Sequence, residues 1–185
     1  EIVFVSDMFV EDYVGGAELT TQALIDSSPF QVCKLHSRDV DLRLLEEGQD
    51  KYWIFGNFSE LKLDLIPTIV ANISYSVLEY DYKYCKWRSP QKHETIEEGP
   101  CNDGDSMQGK MISAFLYGSR SLWWMSEAQM FHYLNLFPFL AEKNNIVLSS
   151  VFDDTFFLTV KMLREKYSDQ ERKGWIVLGS TSWVK

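Results

Sequence analysis

Two adjacent glycines, Gly15 and Gly16, stand in the stretch DYVGGAELTTQALI, between the apolar run IVFVS and a segment that alternates like a helix. Free amides at the start of a helix suit an anion such as phosphate, and glycine lets a ligand approach the backbone closely. A tight turn with close helix–sheet packing would use the same two residues. No third glycine follows at the spacing of the dinucleotide fingerprint, which disfavours a Rossmann dehydrogenase. A second group is Cys85, His93 and Cys101, with seven residues between each successive pair. Thiolates and imidazole bind zinc, but structural zinc sites ordinarily show tight ligand pairs and four ligands, so this spacing assigns no metal. A reducing compartment argues against a disulfide. Cys33 falls in a strand and reads as core, while His36 and His132 read as structural histidines. Tyr80, Tyr82, Tyr84 and Trp87 lie in or beside a polar stretch, where aromatics stack on sugars or anchor a loop equally well.

These residues need elements to position them. The runs IVFVS, FQVCKLHS, YWIFGN, ISYSVLEY, SLWWM and NIVLSS read as six strands, nearly all apolar and separated by helical patterns. Such strands form a parallel sheet covered on both faces, so the expected fold is α/β, doubly wound and Rossmann-like. After the first strand a helix carries Ala17, Thr20, Ala23 and Leu24 on one face. Asp39 is expected to cap a short helix with Leu42 and Leu45 that Gly48 ends. Ser59 is expected to cap another with Leu61 and Leu65, stopped near Pro67. The segment 81–105 is polar and charged and reads as a long loop of weak order. A helix from about Met107 presents Met111, Ala114 and Phe115 and ends at Gly118. Ser126 and Gln129 have the spacing of a capping box. Trp123 and Trp124 point to opposite faces of their strand, and Asp154 is expected to cap a last helix with Phe156, Val160, Leu163 and Tyr167 at helical spacing. Ligands of such sheets bind outside the carboxyl ends of the strands, where the strand order reverses, which puts the glycine pair at a site.

With 185 residues, 45% of them hydrophobic, the chain can bury one substantial core. Its net charge of −9 opposes nucleic-acid binding, which draws on Lys and Arg replacing counterions. Neither a membrane span nor a signal peptide is visible, which fits a cytoplasmic protein. The chain opens on Glu1 and closes directly after a strand-like run, so it reads as a piece of something longer.

Four segments taken in order carry a resemblance. VGGAE (14–18) resembles the glycine-rich loop that opens many GT-B-type glycosyltransferases of the retaining family four. SLWWMSEAQMFHYLNLFP is similar to the strand, serine and helix that end that family's amino-terminal domain. NNIVLSSVFDDTFF is similar to its interdomain crossing, and KGWIVLGSTSWVK to the first strand and loop of its second domain. The resemblance implies a Rossmann-like amino-terminal domain over 1–157, then an interdomain helix and the start of a truncated donor-binding domain over 158–185. It implies the acceptor-side half of an enzyme that moves a sugar from a nucleotide-sugar to a carbohydrate or glycosylated acceptor, inactive alone and without a cofactor. On the matching positions it places Gly15 and Gly16 near the donor phosphates, and Glu18, Tyr80 and Tyr82 on the acceptor side. The family often has a histidine–aspartate pair after the fourth strand; LEYDY stands there, which makes Glu79 and Asp81 the nearest catalytic candidates. Both also read as solvated strand-end charges, and Glu18 as an acid that favours a helix dipole. A non-catalytic α/β binding or interaction module, or another enzyme of this architecture such as a nucleotide-sugar epimerase, would share the fold.

Overall fold

The computed structural model of the chain describes residues 1–171, 173 and 174. Among them, β1 (Ile2–Ser6), β2 (Val32–His36), β3 (Tyr52–Phe55), β4 (Ser74–Glu79), β5 (Ser121–Trp124) and β6 (Asn144–Val147) form one sheet in the order β2-β1-β3-β4-β5-β6. Every pairing is parallel. The helices are α1 (Gly16–Ser27), α2 (Leu42–Glu47), α3 (Ile66–Asn72), α4 (Pro90–Glu97), α5 (Met107–Gly118), α6 (Glu127–Leu136) and α7 (Asp154–Lys166). This is the expected doubly wound α/β fold.

The central strands read as mostly apolar runs because both their faces are buried. On one face Val5, Phe55, Tyr75, Val77 and Trp124 pack with residues of α2, α3, α5 and α6. Phe115 of α5 anchors this layer, edge-on to Phe55 at 5.1 Å and stacked on Tyr75 at 4.9 Å. On the other face Phe4, Ile54 and Leu78 meet Leu24 and Ile25 of α1. Trp123 and Trp124 divide between the two faces as strand alternation requires.

Several local expectations are corrected. Asp41, not Asp39, caps α2 by accepting from the Leu44 amide at 2.8 Å; Asp39 lies in a short 3-10 turn, Ser37–Asp39. Pro67 does not stop a helix capped by Ser59 but stands in the first turn of α3, where its missing amide hydrogen is not needed. Ala114 is exposed, and α5 buries Ile112, Phe115 and Leu116 instead. Asp153 rather than Asp154 caps α7. Cys33 is exposed because β2 is an edge strand.

The largest correction concerns 81–105. It is not an irregular loop: it carries α4, with Ser89 accepting from the Lys92 amide as cap and Pro90 in the first turn. Lys83, Tyr84, Cys85 and His93 are buried, which gives the segment a core of its own. Arg88 and Glu98 hold positive φ, 56° and 53°, where the chain turns into and out of α4.

The chain divides into two compact units, Glu1–Val151 and Phe152–Lys185, ahead of α7 rather than within it. In the second unit Phe152 stacks on Phe156 at 4.3 Å. From Trp175 on, the run WIVLGSTSWVK lies outside the described residues.

Candidate functional site

The strand order reverses between β1 and β3, so the carboxyl ends of β1, β3 and β4 form the place where such sheets receive ligands. β1 runs out into Asp7, which is buried. It accepts from the hydroxyls of Ser37 and Ser59 and from the Ser59 and Glu60 amides at 3.1 Å each. Burial pushes its pKa up, but these hydrogen bonds outweigh that and hold it below the usual range. Asp7 thereby ties together the segments that follow β1, β2 and β3.

Arg88 reaches across the same edge. Its guanidinium donates to Asp81 Oδ2 at 2.6 Å, Ser59 Oγ at 2.8 Å and Asn57 Oδ1 at 2.8 Å. Holding φ at 56° is costly for a side chain larger than glycine, on the order of 1 kcal/mol or more, and three anchored hydrogen bonds offset it. Beneath Arg88, Lys83 Nζ donates to Asp81 Oδ1 at 3.0 Å and Glu79 Oε1 at 3.2 Å, and sits 4.8 Å above the Phe58 ring. Desolvation opposes the charges of Lys83 and Asp81, yet the attraction of Glu79 and Asp81 raises the lysine, and that of Lys83 and Arg88 lowers the aspartate.

Glu79 is different. It is 1% exposed, and its Oε2 is buried without a hydrogen-bond partner. Burial, and then the neighbouring Asp81 charge, push its pKa up to about 8 against the pull of Lys83. Glu79 and Asp81 share the Lys83 ammonium, at 3.2 Å and 3.0 Å.

Beside this network lies a cleft of about 270 Å³. Phe58, Leu61, Ile66 and Ile112 make its apolar floor, and Lys83, Lys86, Arg88 and Gln108 bring nitrogen donors to it. The cations are already paired, Lys86 with Glu97 at 2.8 Å and the other two with Asp81. A cleft with an apolar floor and donors of balanced charge suits a neutral, hydroxyl-rich ligand better than a polyanion.

The candidates named from sequence separate into three places. Glu79 and Asp81 sit together in the buried network, neither one a solvated strand-end charge. Gly15 caps α1 with extended backbone, φ −133°, and Gly16 opens the helix with free space where a Cβ would stand. Glu18 is buried, with its carboxylate folded back over Gly15, 2.6 Å from the position of an added Cβ. Tyr80 is tied to the same helix through a 2.8 Å hydrogen bond with Thr21. Tyr82 lies elsewhere, stacked on Tyr133 at 5.9 Å and edge-on to His132. His132 also bonds the Tyr84 hydroxyl at 2.5 Å, and His36 Nδ1 lies 3.2 Å from the Asp7 carbonyl, so both have structural partners. Asp7, Asn57, Lys83 and Arg88 were not singled out by sequence, and Ser59 only as a helix cap. The one signal available was a polar residue directly after each apolar strand.

A further cluster stands on the excursion after β4. The ligand atoms of Cys85, His93, Cys101 and Asp103 all lie within 4.8 Å of one another, an arrangement that the seven-residue spacing did not reveal.

Compared with known proteins, the chain matches no family model, no curated protein and no solved structure.

Proposed function

We propose that the chain is the acceptor-side half of a glycosyltransferase that moves a sugar from a nucleotide-sugar to a carbohydrate or glycosylated acceptor. The observation that carries this reading is the cleft at the carboxyl edge, whose apolar floor and charge-balanced donors match the chemistry of a sugar. Lys86, Arg88 and Gln108 would bond acceptor hydroxyls while Phe58 meets the apolar face of the ring. Glu79 and Asp81 would act as positioning residues, setting Lys83 and Arg88 rather than touching the sugar, since Glu79 is sealed from solvent. The Gly15 and Gly16 amides would face the donor diphosphate and support it as charge develops on departure. A second domain would hold most of the donor, and a cytoplasmic setting would supply it.

Assay of the full product of the gene against a panel of nucleotide-sugars tests this. Gly15→Ala is expected to lower turnover at least about tenfold, or ~1.4 kcal/mol of transition-state stabilisation. The φ of −133° is open to alanine, and the atoms an added methyl would meet belong to the movable side chains of Tyr13 and Glu18, so folding stability should change little. Turnover within about twofold of the parent would reject the phosphate role.

A second reading, a non-catalytic carbohydrate-binding module, is favoured by the Glu18 carboxylate folded over the head of α1, since it repels an incoming phosphate. Carbohydrate binding with no transfer from any donor would select it.

A further inference from the structure

Four side chains with metal-ligating atoms converge on the excursion between β4 and α5. Cys85 lies on the turn that leaves the sheet and is fully buried. His93 projects from the first half of α4 and is 7% exposed. Cys101 and Asp103 come from the return segment that leads to α5. Cys85 Sγ is 3.8 Å from His93 Nδ1, and the same nitrogen is 3.2 Å from Asp103 Oδ2. In a tetrahedral site with metal–sulfur near ~2.3 Å and metal–nitrogen or metal–oxygen near ~2.1 Å, neighbouring ligand atoms are about 3.3–3.8 Å apart. The two distances lie within about 0.2 Å of the edges of such a tetrahedron.

The surroundings are also those of a metal site. The Lys86 amide donates to Asp103 Oδ2 at 2.8 Å and so orients the carboxylate from outside the ligand set. Ser89 caps α4 and fixes the helix that presents His93. Gly109 in the first turn of α5 faces the carbonyl oxygens of Asp103 and Gly104 so closely that a Cβ would collide with them, which presses the Asp103 turn against the helix. The carboxylate and the imidazole are thus each held by structure outside the ligand set. Two thiols, an imidazole and a carboxylate are a borderline-soft set, which suits zinc over magnesium or calcium.

We propose that Cys85, His93, Cys101 and Asp103 form a structural site for one zinc ion that closes the excursion 81–105 on itself. The site fills four positions with protein ligands and leaves none for a substrate, so its role is to hold the segment that carries Lys83, Lys86 and Arg88. It answers how a polar stretch with few apolar residues keeps a fixed course beside the cleft. The metal site is independent of the sugar-transfer reading and stands if that reading fails.

Cobalt and zinc titration of the reduced 185-residue chain tests it. One cobalt per chain should bind, with the visible bands of tetrahedral cobalt and near-ultraviolet thiolate charge transfer, and one zinc should displace it. Since changes in outer-shell partners alone cost 10–100-fold, Cys101→Ser and Asp103→Asn should each weaken cobalt binding at least about 100-fold. Cys33→Ser, which alters the exposed thiol away from the cluster, should leave it unchanged. Circular dichroism of each variant separates a lost ligand from a lost fold. For a variant that fails to fold, zinc protection of Cys85 and Cys101 from a thiol reagent in the parent chain gives the same answer. No cobalt spectrum with the reduced parent, binding that survives both ligand variants, or a stable Cys85–Cys101 disulfide that persists under mild reductant would each overturn the proposal.

Discussion

Burial raises the pKa of the Glu79 carboxyl above that of its unfolded counterpart. A folded-state pKa raised from the ordinary 4.5 to about 8 means the native state binds a proton that the unfolded chain has released. Its contribution is therefore fully present below the ordinary carboxyl range and fades as pH rises towards 8. Asp7 and Asp81, both lowered, act in the opposite sense and lose their contribution as pH falls through their folded values. Glu79→Gln removes the titration but leaves Asp7 and Asp81 in place. The variant should gain stability relative to its parent by at least ~1 kcal/mol between about pH 5 and about pH 8, read by urea denaturation at each pH. A difference that stays flat over that interval would show Glu79 to be ionised in the folded protein. Nothing in LEYDY distinguishes a sealed carboxyl from a solvated one; its neighbours Lys83 and Tyr133 lie outside that stretch.

At the scale of elements, the central strands were legible because burial on both faces leaves mostly apolar runs; five of the six strands lie within the stretches that show them, and β6 starts at Asn144, one residue before NIVLSS. Helix starts were less so. Asp39 and Asp41, or Asp153 and Asp154, are near-equivalent caps by type, and the register of the helix decides between them. Pro67 carries opposite meanings at the two ends of a helix, and α4 was hidden because it buries little apolar surface of its own. The close seating of α5 on the Asp103 turn was likewise invisible in GKM. It yields a direct expectation: Gly109→Ala sets a methyl against the Asp103 carbonyl oxygen and 2.5 Å from that of Gly104, both backbone atoms that cannot swing away. The urea midpoint should fall by an amount equivalent to about 1–3 kcal/mol. An unchanged midpoint would mean that the turn is free to move off the helix.

At the scale of the molecule, an acidic chain of net charge −9 gathers three cations within a few residues at one sheet edge and then pairs each of them. The result is a local patch of donors without a strong net field, which disfavours polyanions and suits uncharged polar ligands. Among the described residues no helix is long and apolar enough to cross a membrane. The central claim is that this patch receives carbohydrate, and amide chemical shifts of the isotopically labelled chain test it directly. Titration with a panel of neutral oligosaccharides should shift Phe58, Lys83, Lys86, Arg88 and Gln108, and a nucleoside diphosphate-sugar should move Gly15 and Gly16. Oligosaccharides that leave the cleft amides unmoved throughout the panel, or that shift only residues away from the carboxyl edge, would contradict the account.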